Sequence, residues 1–154
     1  MQPLLLRLAT KNRANTASRS APPAHEICTR LKVVAKPKIL IVEDDSDVRR
    51  LYAIGLNQRG FEVKLAANGA EAVERVETER PDLILLDWVM PLMDGSEVLA
   101  RLGENGKAAI TIIVISGQPA PPDEERDPRI RCWLTKPVSM DELVNEIQRP
   151  LPPH

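Results

Sequence analysis

Short apolar segments alternate with longer amphipathic segments along most of the chain, from residue 38 onward. Short apolar runs are typical of buried strands, whereas apolar residues spaced three or four apart are typical of helices with one buried face. The predicted strands are residues 39–42, 61–65, 83–86, 110–115 and 131–135. Strands and helices in strict alternation, joined by right-handed crossovers, predict a parallel sheet with helices on both faces.

Capping and breaking residues set the limits of the predicted helices. In the first helix, the apolar residues that follow helical spacing, and that we expect to face the core, are Val48, Leu51, Tyr52 and Leu56. The predicted helices begin near Asp45, Gly69, Ser96 and Ser139. The first, second and last end near Gly60, Pro81 and Pro150, whereas the third is predicted to span residues 96–102 and to be broken by Gly103.

The connection between the fourth and fifth strands departs from this alternation. Residues 117–128 read GQPAPPDEERDP and hold four of the chain's fourteen prolines. Proline removes a backbone donor and clashes with the preceding turn, which costs about 3 kcal/mol inside a helix. We therefore expect the fourth helix to be short or absent, with at most one turn around residues 123–126. We also expect residues 118–128 to be the most mobile part of the domain, since few apolar side chains anchor them.

The two ends of the chain show no sustained periodicity. Residues 1–37 are predicted to be a basic, disordered tail, residues 38–149 the folded domain, and residues 150–154 a short C-terminal tail. Residues 1–38 hold eight Lys/Arg against the single acid Glu26, a net charge of +7, whereas residues 39–154 hold 13 Lys/Arg and 21 Asp/Glu, a net charge of −8. Contact of the basic arm with nucleic acid or with an acidic partner remains an open alternative.

Several classes of protein and site are not indicated. The apolar runs fall well short of the ~18 residues of a membrane-spanning helix. Cys28 and Cys132 are expected to be unpaired thiols in a reducing cytoplasm, and neither His25 nor His154 belongs to a zinc-binding pattern. The chain contains no glycine-rich nucleotide-binding loop and no GxSxG motif.

Chemically active side chains follow four of the predicted strands. Glu43 and Asp44 follow the first strand, Asp87 the third, Ser116 the fourth and Lys136 the fifth. Because the carboxyl ends of parallel strands share one edge of the sheet, we expect these side chains to meet in one crevice. Carboxylates are ligands for Mg²⁺, and an acceptor carboxylate beside a metal ion, a hydroxyl and an ammonium group suits phosphoryl transfer. The pattern therefore predicts transfer of a phosphoryl group onto Asp87.

Each of these residues also has an ordinary explanation when it is taken alone. The acids at positions 43–47 could simply favour the N-terminus of the first helix. Ser116 could be a turn or cap residue, and Lys136 could be a solvated surface lysine. The parallel positions of the acids, Asp87 and Lys136 favour a shared site.

Four motifs carry a resemblance to a known family. They are ILIVEDDSDVRR, PDLILLDWVMPLMDG, IIVISG and LTKPVSMDEL, in this order within residues 38–149. Over that range the chain resembles the receiver domain of bacterial two-component response regulators. The resemblance implies an α/β, flavodoxin-like (βα)5 fold with a five-stranded parallel sheet in the order 2-1-3-4-5. It also implies a cis peptide bond between Lys136 and Pro137.

The resemblance further implies a role for each residue of the site. Asp87 matches the phospho-acceptor, Lys136 the family's site lysine and Ser116 its switch hydroxyl. Trp133 occupies the position of the switch aromatic residue, where Tyr or Phe is more usual. The matched metal ligands, for Mg²⁺, are Glu43, Asp44, Asp87 and the backbone carbonyl of Val89.

The function that the resemblance implies is that of a single-domain response regulator. A sensor histidine kinase or a histidine phosphotransfer protein would donate the phosphoryl group, and a further protein would read the result. The domain would be no enzyme beyond catalysing its own phosphorylation and dephosphorylation, and it would act in the cytoplasm as a monomer or weak homodimer, with no DNA-binding domain. The alternative is a receiver-like adaptor that signals through protein contacts without phosphorylation.

Overall fold

The computed structural model describes residues 36–104, 106, 110–122 and 125–150. Within them, strands and helices alternate as far as the fourth strand, and the fifth strand precedes the last helix. The strands are β1 (Lys38–Val42), β2 (Glu62–Ala66), β3 (Leu83–Asp87), β4 (Thr111–Ser116) and β5 (Ile130–Thr135). The helices are α1 (Ser46–Gln58), α2 (Gly69–Glu79), α3 (Gly95–Glu104) and α4 (Met140–Gln148).

The five strands form one parallel sheet in the order β2-β1-β3-β4-β5. Their register aligns the strand ends: Val42 pairs with Leu86, Asp87 pairs with Ile115, and Ser116 pairs with Thr135. The predicted flavodoxin-like fold and its strand order are therefore confirmed. The alignment also places the residues that follow β1, β3, β4 and β5 along one edge of the sheet.

The core lies on both faces of the sheet. Ile39 and Ile41 of β1 belong to the cluster that packs under α1 and α4, whereas Leu40 and Val42 belong to the cluster under α2 and α3. All four side chains are buried. Successive strand residues point to opposite faces, so a strand that is covered on both sides must be continuously apolar. This requirement explains the apolar runs in the sequence.

The predicted caps form where the sequence places them. The side chain of Asp45 accepts hydrogen bonds from the backbone N–H groups of Asp47 and Val48, which caps α1. The side chain of Ser139 accepts from the N–H of Glu142, which caps α4. Gly60 follows α1 with a φ of +80°, a left-handed conformation that glycine adopts without steric cost.

Two details of the predicted helices are wrong. Helix α3 continues through Gly103 to Glu104, because Leu99 and Leu102 are buried in the core and packing outweighs the low helix propensity of one glycine. In α1, Leu51 is 64% exposed rather than buried, while Tyr52 and Leu56 face the core as expected. The buried stripe of α1 is therefore narrower than the apolar pattern indicates.

The connection between β4 and β5 contains no α-helix among the described residues of 117–129. One turn is present, in which the N–H of Glu125 donates to the carbonyl of Pro122 at 3.0 Å. Asp127 anchors the end of the segment, because its carboxylate accepts two bonds from the guanidinium of Arg129, which also donates to the carbonyl of Leu99. The predicted shortening of this helix is confirmed, although residues 123 and 124 lie outside the described part.

The predicted tails lie almost wholly outside the described residues, so their boundaries and the expected disorder stay predictions. The same holds for Cys28, His25 and His154. Among the residues that the structure describes, no helix is long and apolar enough to cross a membrane.

Amide hydrogen exchange tests the expected mobility of the β4–β5 connection. The amides of Gly117 and Ala120 are expected to exchange orders of magnitude faster than those of Ile113 and Val114, which pair with both neighbouring strands. Strong protection of the connection, equal to that of β4, would contradict this expectation and would reveal a folded helix. The amides of β4 serve as the internal control.

Candidate functional site

The carboxyl edge of the sheet gathers the predicted site residues. Glu43 follows β1, Asp87 is the last residue of β3, Ser116 is the last residue of β4, and Lys136 follows β5 directly. Glu43, Asp87 and Ser116 are buried. The register explains the meeting, since Asp87 pairs with Ile115, next to Ser116, and Ser116 pairs with Thr135, next to Lys136.

Three carboxylates form a cluster at this edge. Carboxylate oxygens of Glu43, Asp44 and Asp87 all lie within 4.8 Å of one another. The pKa of Glu43 is raised from 4.5 to about 6, because burial and the negative charge of Asp87 raise it and together outweigh the opposing effect of Lys136. Such a cluster is electrostatically unfavourable without a cation, because each ionised group disfavours ionisation of the next.

Lys136 supplies positive charge to the cluster. Its Nζ atom lies 3.2 Å from Oε2 of Glu43 and 3.2 Å from Oδ2 of Asp87. Burial acts to lower the pKa of Lys136, but the charges of Asp87 and Glu43 outweigh it, and the net pKa is raised. The lysine is therefore held in its charged form between two carboxylates. The peptide bond between Lys136 and Pro137 is cis, as the resemblance implies.

The donor set of the cluster fits a magnesium ion. Mg²⁺ prefers hard oxygen ligands and commonly takes one or two carboxylates together with phosphate oxygens and water. Glu43, Asp44 and Asp87 present such oxygens, and Asp44 is exposed, so that the cluster is open to solvent. Val89 lies two residues beyond Asp87, and its backbone N–H donates to Oδ1 of Asp87 at 3.3 Å. The cluster can therefore hold a metal ion.

A second group of contacts joins Ser116 to the two tryptophans. The hydroxyl oxygen of Ser116 accepts a hydrogen bond from the N–H of Gln118 at 3.0 Å. The carbonyl of Gln118 accepts from Nε1 of Trp133 at 3.0 Å. The rings of Trp133 and Trp88 pack against each other at a tilt of 55°, with 4.8 Å between their centroids. Trp88 adjoins Asp87 in the chain, so that these contacts connect Ser116 and Trp133 to the neighbour of Asp87.

Some features of the site could not be identified from the sequence. The contact between Trp88 and Trp133 joins residues that are 45 positions apart. Gly95 is a further part of this arrangement, because a Cβ atom at this position would collide with the ring of Trp88. No sequence pattern points to Arg49 either, although its guanidinium donates to the backbone carbonyls of Glu43 and Asp44.

The pKa of Glu43 gives a prediction about stability without metal. Between pH 4.5 and about 6, the folded protein keeps the proton of Glu43 and the unfolded chain releases it, so that this group lowers the free energy of unfolding as pH rises. We expect Glu43→Gln, which removes the titration, to gain stability relative to the wild type across that window and to keep the gain above it.

Urea unfolding in chelator-containing buffer at several pH values measures this difference. Glu74, which is exposed on α2, provides the matched control variant Glu74→Gln. A difference between Glu43→Gln and the wild type that does not change with pH would contradict the raised pKa.

Comparison with known proteins agrees with the fold. The sequence model of the response regulator receiver domain family matches residues 39–148. The response regulator receiver protein CpdR of Brucella abortus is 41% identical over 117 residues, which cover 74% of this chain and 96% of the relative. Sporulation initiation phosphotransferase F of Bacillus subtilis is 36% identical, with 75% of this chain and 94% of the relative covered.

Solved structures show the same likeness. The chemotaxis protein CheY4 of Vibrio cholerae superimposes with a TM-score of 0.66 at 29% identity, with 75% of this chain and 98% of the other covered. The receiver domain of the hybrid histidine kinase CckA has a TM-score of 0.61 at 31% identity, with 73% and 96% covered. With the family model spanning well over half of the sequence, the chain belongs to the response regulator receiver domains of two-component signalling.

Proposed function

We propose that the protein accepts a phosphoryl group on Asp87, in a Mg²⁺-dependent transfer from a phosphohistidine. The donor is a sensor histidine kinase or a histidine phosphotransfer protein. The observation that carries the proposal is the contact of Lys136 Nζ with Glu43 and Asp87, 3.2 Å from each, inside a cluster of three carboxylates. A buried carboxylate that is accompanied by a cation and by two further acids has the components of a phospho-acceptor site.

The residues of the site divide the work of the transfer. An oxygen of Asp87 attacks the phosphorus atom, and the bond between phosphorus and the donor imidazole breaks. Glu43, Asp44, Asp87 and the carbonyl of Val89 would hold Mg²⁺, which would supply positive charge between the acceptor and the phosphoryl oxygens. Lys136, already 3.2 Å from Asp87, places its point charge on one of those oxygens. The site lysine thus acts in both the free and the phosphorylated protein.

Ser116 and Trp133 convert the new charge into a change of surface. Phosphorylation adds about −2 charge and three acceptor oxygens. The Ser116 hydroxyl donates to one of these oxygens. In the free protein this hydroxyl accepts a hydrogen bond from the N–H of Gln118, so its movement displaces Gln118. Trp133 is tied to the same residue through the Gln118 carbonyl, so that its ring repacks against Trp88. Readout through these residues needs no helix between β4 and β5.

The output is binding to a further protein, with the phosphorylated domain acting as a single-domain regulator, a monomer or weak homodimer, in the cytoplasm. CpdR and sporulation initiation phosphotransferase F support this form, because the match covers 96% and 94% of their lengths. The protein has no separate substrate in this scheme, and its catalysis is limited to its own phosphorylation and dephosphorylation.

The alternative function is that of an adaptor that keeps the fold and signals without phosphate. The full set of Glu43, Asp44, Asp87, Ser116 and Lys136 at one edge favours the phospho-accepting function, because contact with a partner alone needs no buried carboxylate cluster. A role of residues 1–38 in contacting nucleic acid is a separate possibility, and binding that weakens steeply with salt would reveal it.

Replacement of the acceptor is the first test of the proposed function. With Mg²⁺ and acetyl phosphate, the intact mass of the wild type is expected to rise by one phosphoryl group, and Asp87→Asn should abolish the increase because it removes the nucleophile. Asp47→Asn is the matched control, since it removes one exposed acid from the nearby first turn of α1. Equal labelling of Asp87→Asn and the wild type would overturn the assignment.

Fluorescence tests the proposed path from Ser116 to the tryptophans. The chain contains only two tryptophans, so the variants Trp88→Phe and Trp133→Phe separate their signals. We expect Mg²⁺ with beryllium fluoride to change the emission of both residues. Ser116→Ala should leave phosphorylation of Asp87 largely intact. It should reduce the change in Trp133 emission, because the hydroxyl that couples Asp87 to Trp133 is missing. An undiminished Trp133 response in Ser116→Ala would contradict this path.

A further inference from the structure

Arg49 makes contacts that the proposed transfer does not use. It lies in the first turn of α1, and its Nη1 atom donates to the carbonyl of Glu43 at 2.7 Å and to the carbonyl of Asp44 at 3.3 Å. These are the backbone groups of the two acids in the carboxylate cluster. The side chain is half-buried, and it extends from the helix back to the loop that follows β1.

The backbone at these acids must take a particular path for both carboxylates to reach one site. Glu43 and Asp44 lie in the loop that follows β1, and their carboxylate oxygens lie within 4.8 Å of each other and of Asp87. Glu43 is only 3% exposed, whereas Asp44 is exposed, so one carboxylate of the cluster is buried and the other is open to solvent. The orientation of the two peptide groups that carry these carbonyls determines whether the carboxylates converge.

Arg49 restrains the loop through its hydrogen bonds. The N-terminus of a helix disfavours a cation, but Arg49 also interacts favourably with the carboxylates of Asp45 and Glu71. Hydrogen bonds from a charged donor contribute more than bonds between neutral groups. The two bonds to the carbonyls of Glu43 and Asp44 therefore restrain the loop that carries both acids.

We propose that Arg49 is a positioning residue for the metal site, which holds the peptide groups of Glu43 and Asp44 so that their carboxylates converge with Asp87. It acts through the backbone and does not touch the metal ion. The inference rests on the proposed Mg²⁺ site and adds to it a residue on a neighbouring helix.

The sign of the effect on Mg²⁺ affinity separates positioning from simple charge. If the guanidinium acted only through its charge, removing it would strengthen Mg²⁺ binding, because one repelling cation near the site would be lost. If the guanidinium positions the two acids, removing it weakens Mg²⁺ binding, because part of the binding free energy is then spent on ordering the loop. The two explanations therefore predict opposite shifts in the dissociation constant.

The experiment compares Arg49→Met with Arg50→Met in titrations with Mg²⁺ alone, followed by calorimetry or by tryptophan emission. Arg50 is the next residue of the same helix and is exposed, so its replacement removes the same charge without removing the contact to the loop. We expect Arg49→Met to weaken Mg²⁺ binding by about tenfold, the equivalent of about one hydrogen bond to a charged group. Arg50→Met should bind Mg²⁺ as tightly as the wild type, or slightly more tightly.

A second variant, Arg49→Lys, keeps the charge but lacks the planar fork of donors. It is expected to weaken Mg²⁺ binding to nearly the same extent, and it covers the case in which Arg49→Met does not fold. In metal-free buffer, the amides of residues 43–45 should exchange faster in Arg49→Lys than in Arg50→Met. Arg49→Lys keeps the charge but loses contacts to the loop, whereas Arg50→Met loses a charge and keeps those contacts. Thermal unfolding of the metal-free variants verifies that they are folded.

The outcomes distinguish the two proposals. Undiminished or tighter Mg²⁺ binding by folded Arg49→Met and Arg49→Lys, with a wild type that binds the ion, would overturn the positioning role and leave the proposed function standing. Absence of Mg²⁺ binding by the wild type would overturn both the metal site and the role of Arg49 in it. Weaker binding by both Arg49 variants, with Arg50→Met unchanged, supports the inference.

Discussion

The mutual repulsion of two buried carboxylates, Glu43 and Asp87, is the constraint on which the site depends. Burial and, next to it, the charge of Asp87 raise the pKa of Glu43 to about 6. Lys136 offsets the repulsion from 3.2 Å on either side, and its own pKa is raised in return. A site arranged in this way is prepared for a further cation and for a phosphoryl group, because either one gives the carboxylates and the lysine better partners than they have in the free protein.

The sheet explains how residues so distant in sequence come to share this site. Strands β1, β3 and β4 are buried on both faces, and their apolar side chains fix the register in which Val42 pairs with Leu86 and Leu86 pairs with Val114. The residues that follow must then lie at one edge, where open parallel sheets place their ligand-binding side chains. Stability and the proposed chemistry are thereby separated, since the apolar runs hold the sheet and the proposed site lies in the polar residues at their ends.

Much of this arrangement could be predicted from the sequence. Local sequence patterns predict the strand positions, the caps at Asp45 and Ser139, and the loss of the helix in the proline-rich connection. Each of these features depends on interactions between residues that are close in sequence. The errors arose where tertiary packing decides: α3 runs through Gly103 because Leu99 and Leu102 are buried, and Leu51 is exposed although its spacing is helical. The contact between Trp88 and Trp133 and the bonds of Arg49 depend on the folded positions of separate elements, and no motif encodes them.

A crystal structure with Mg²⁺ and beryllium fluoride would test the central claim most directly, because it locates the ligands and the lysine together. The account predicts beryllium fluoride on an oxygen of Asp87 and an ion bound by carboxylate oxygens of Glu43, Asp44 and Asp87. It also predicts that Lys136 Nζ leaves Glu43, from which it now lies 3.2 Å, to contact a fluorine atom. An ion at another place, or Lys136 still between the two carboxylates with Asp87 unmodified, would contradict the account.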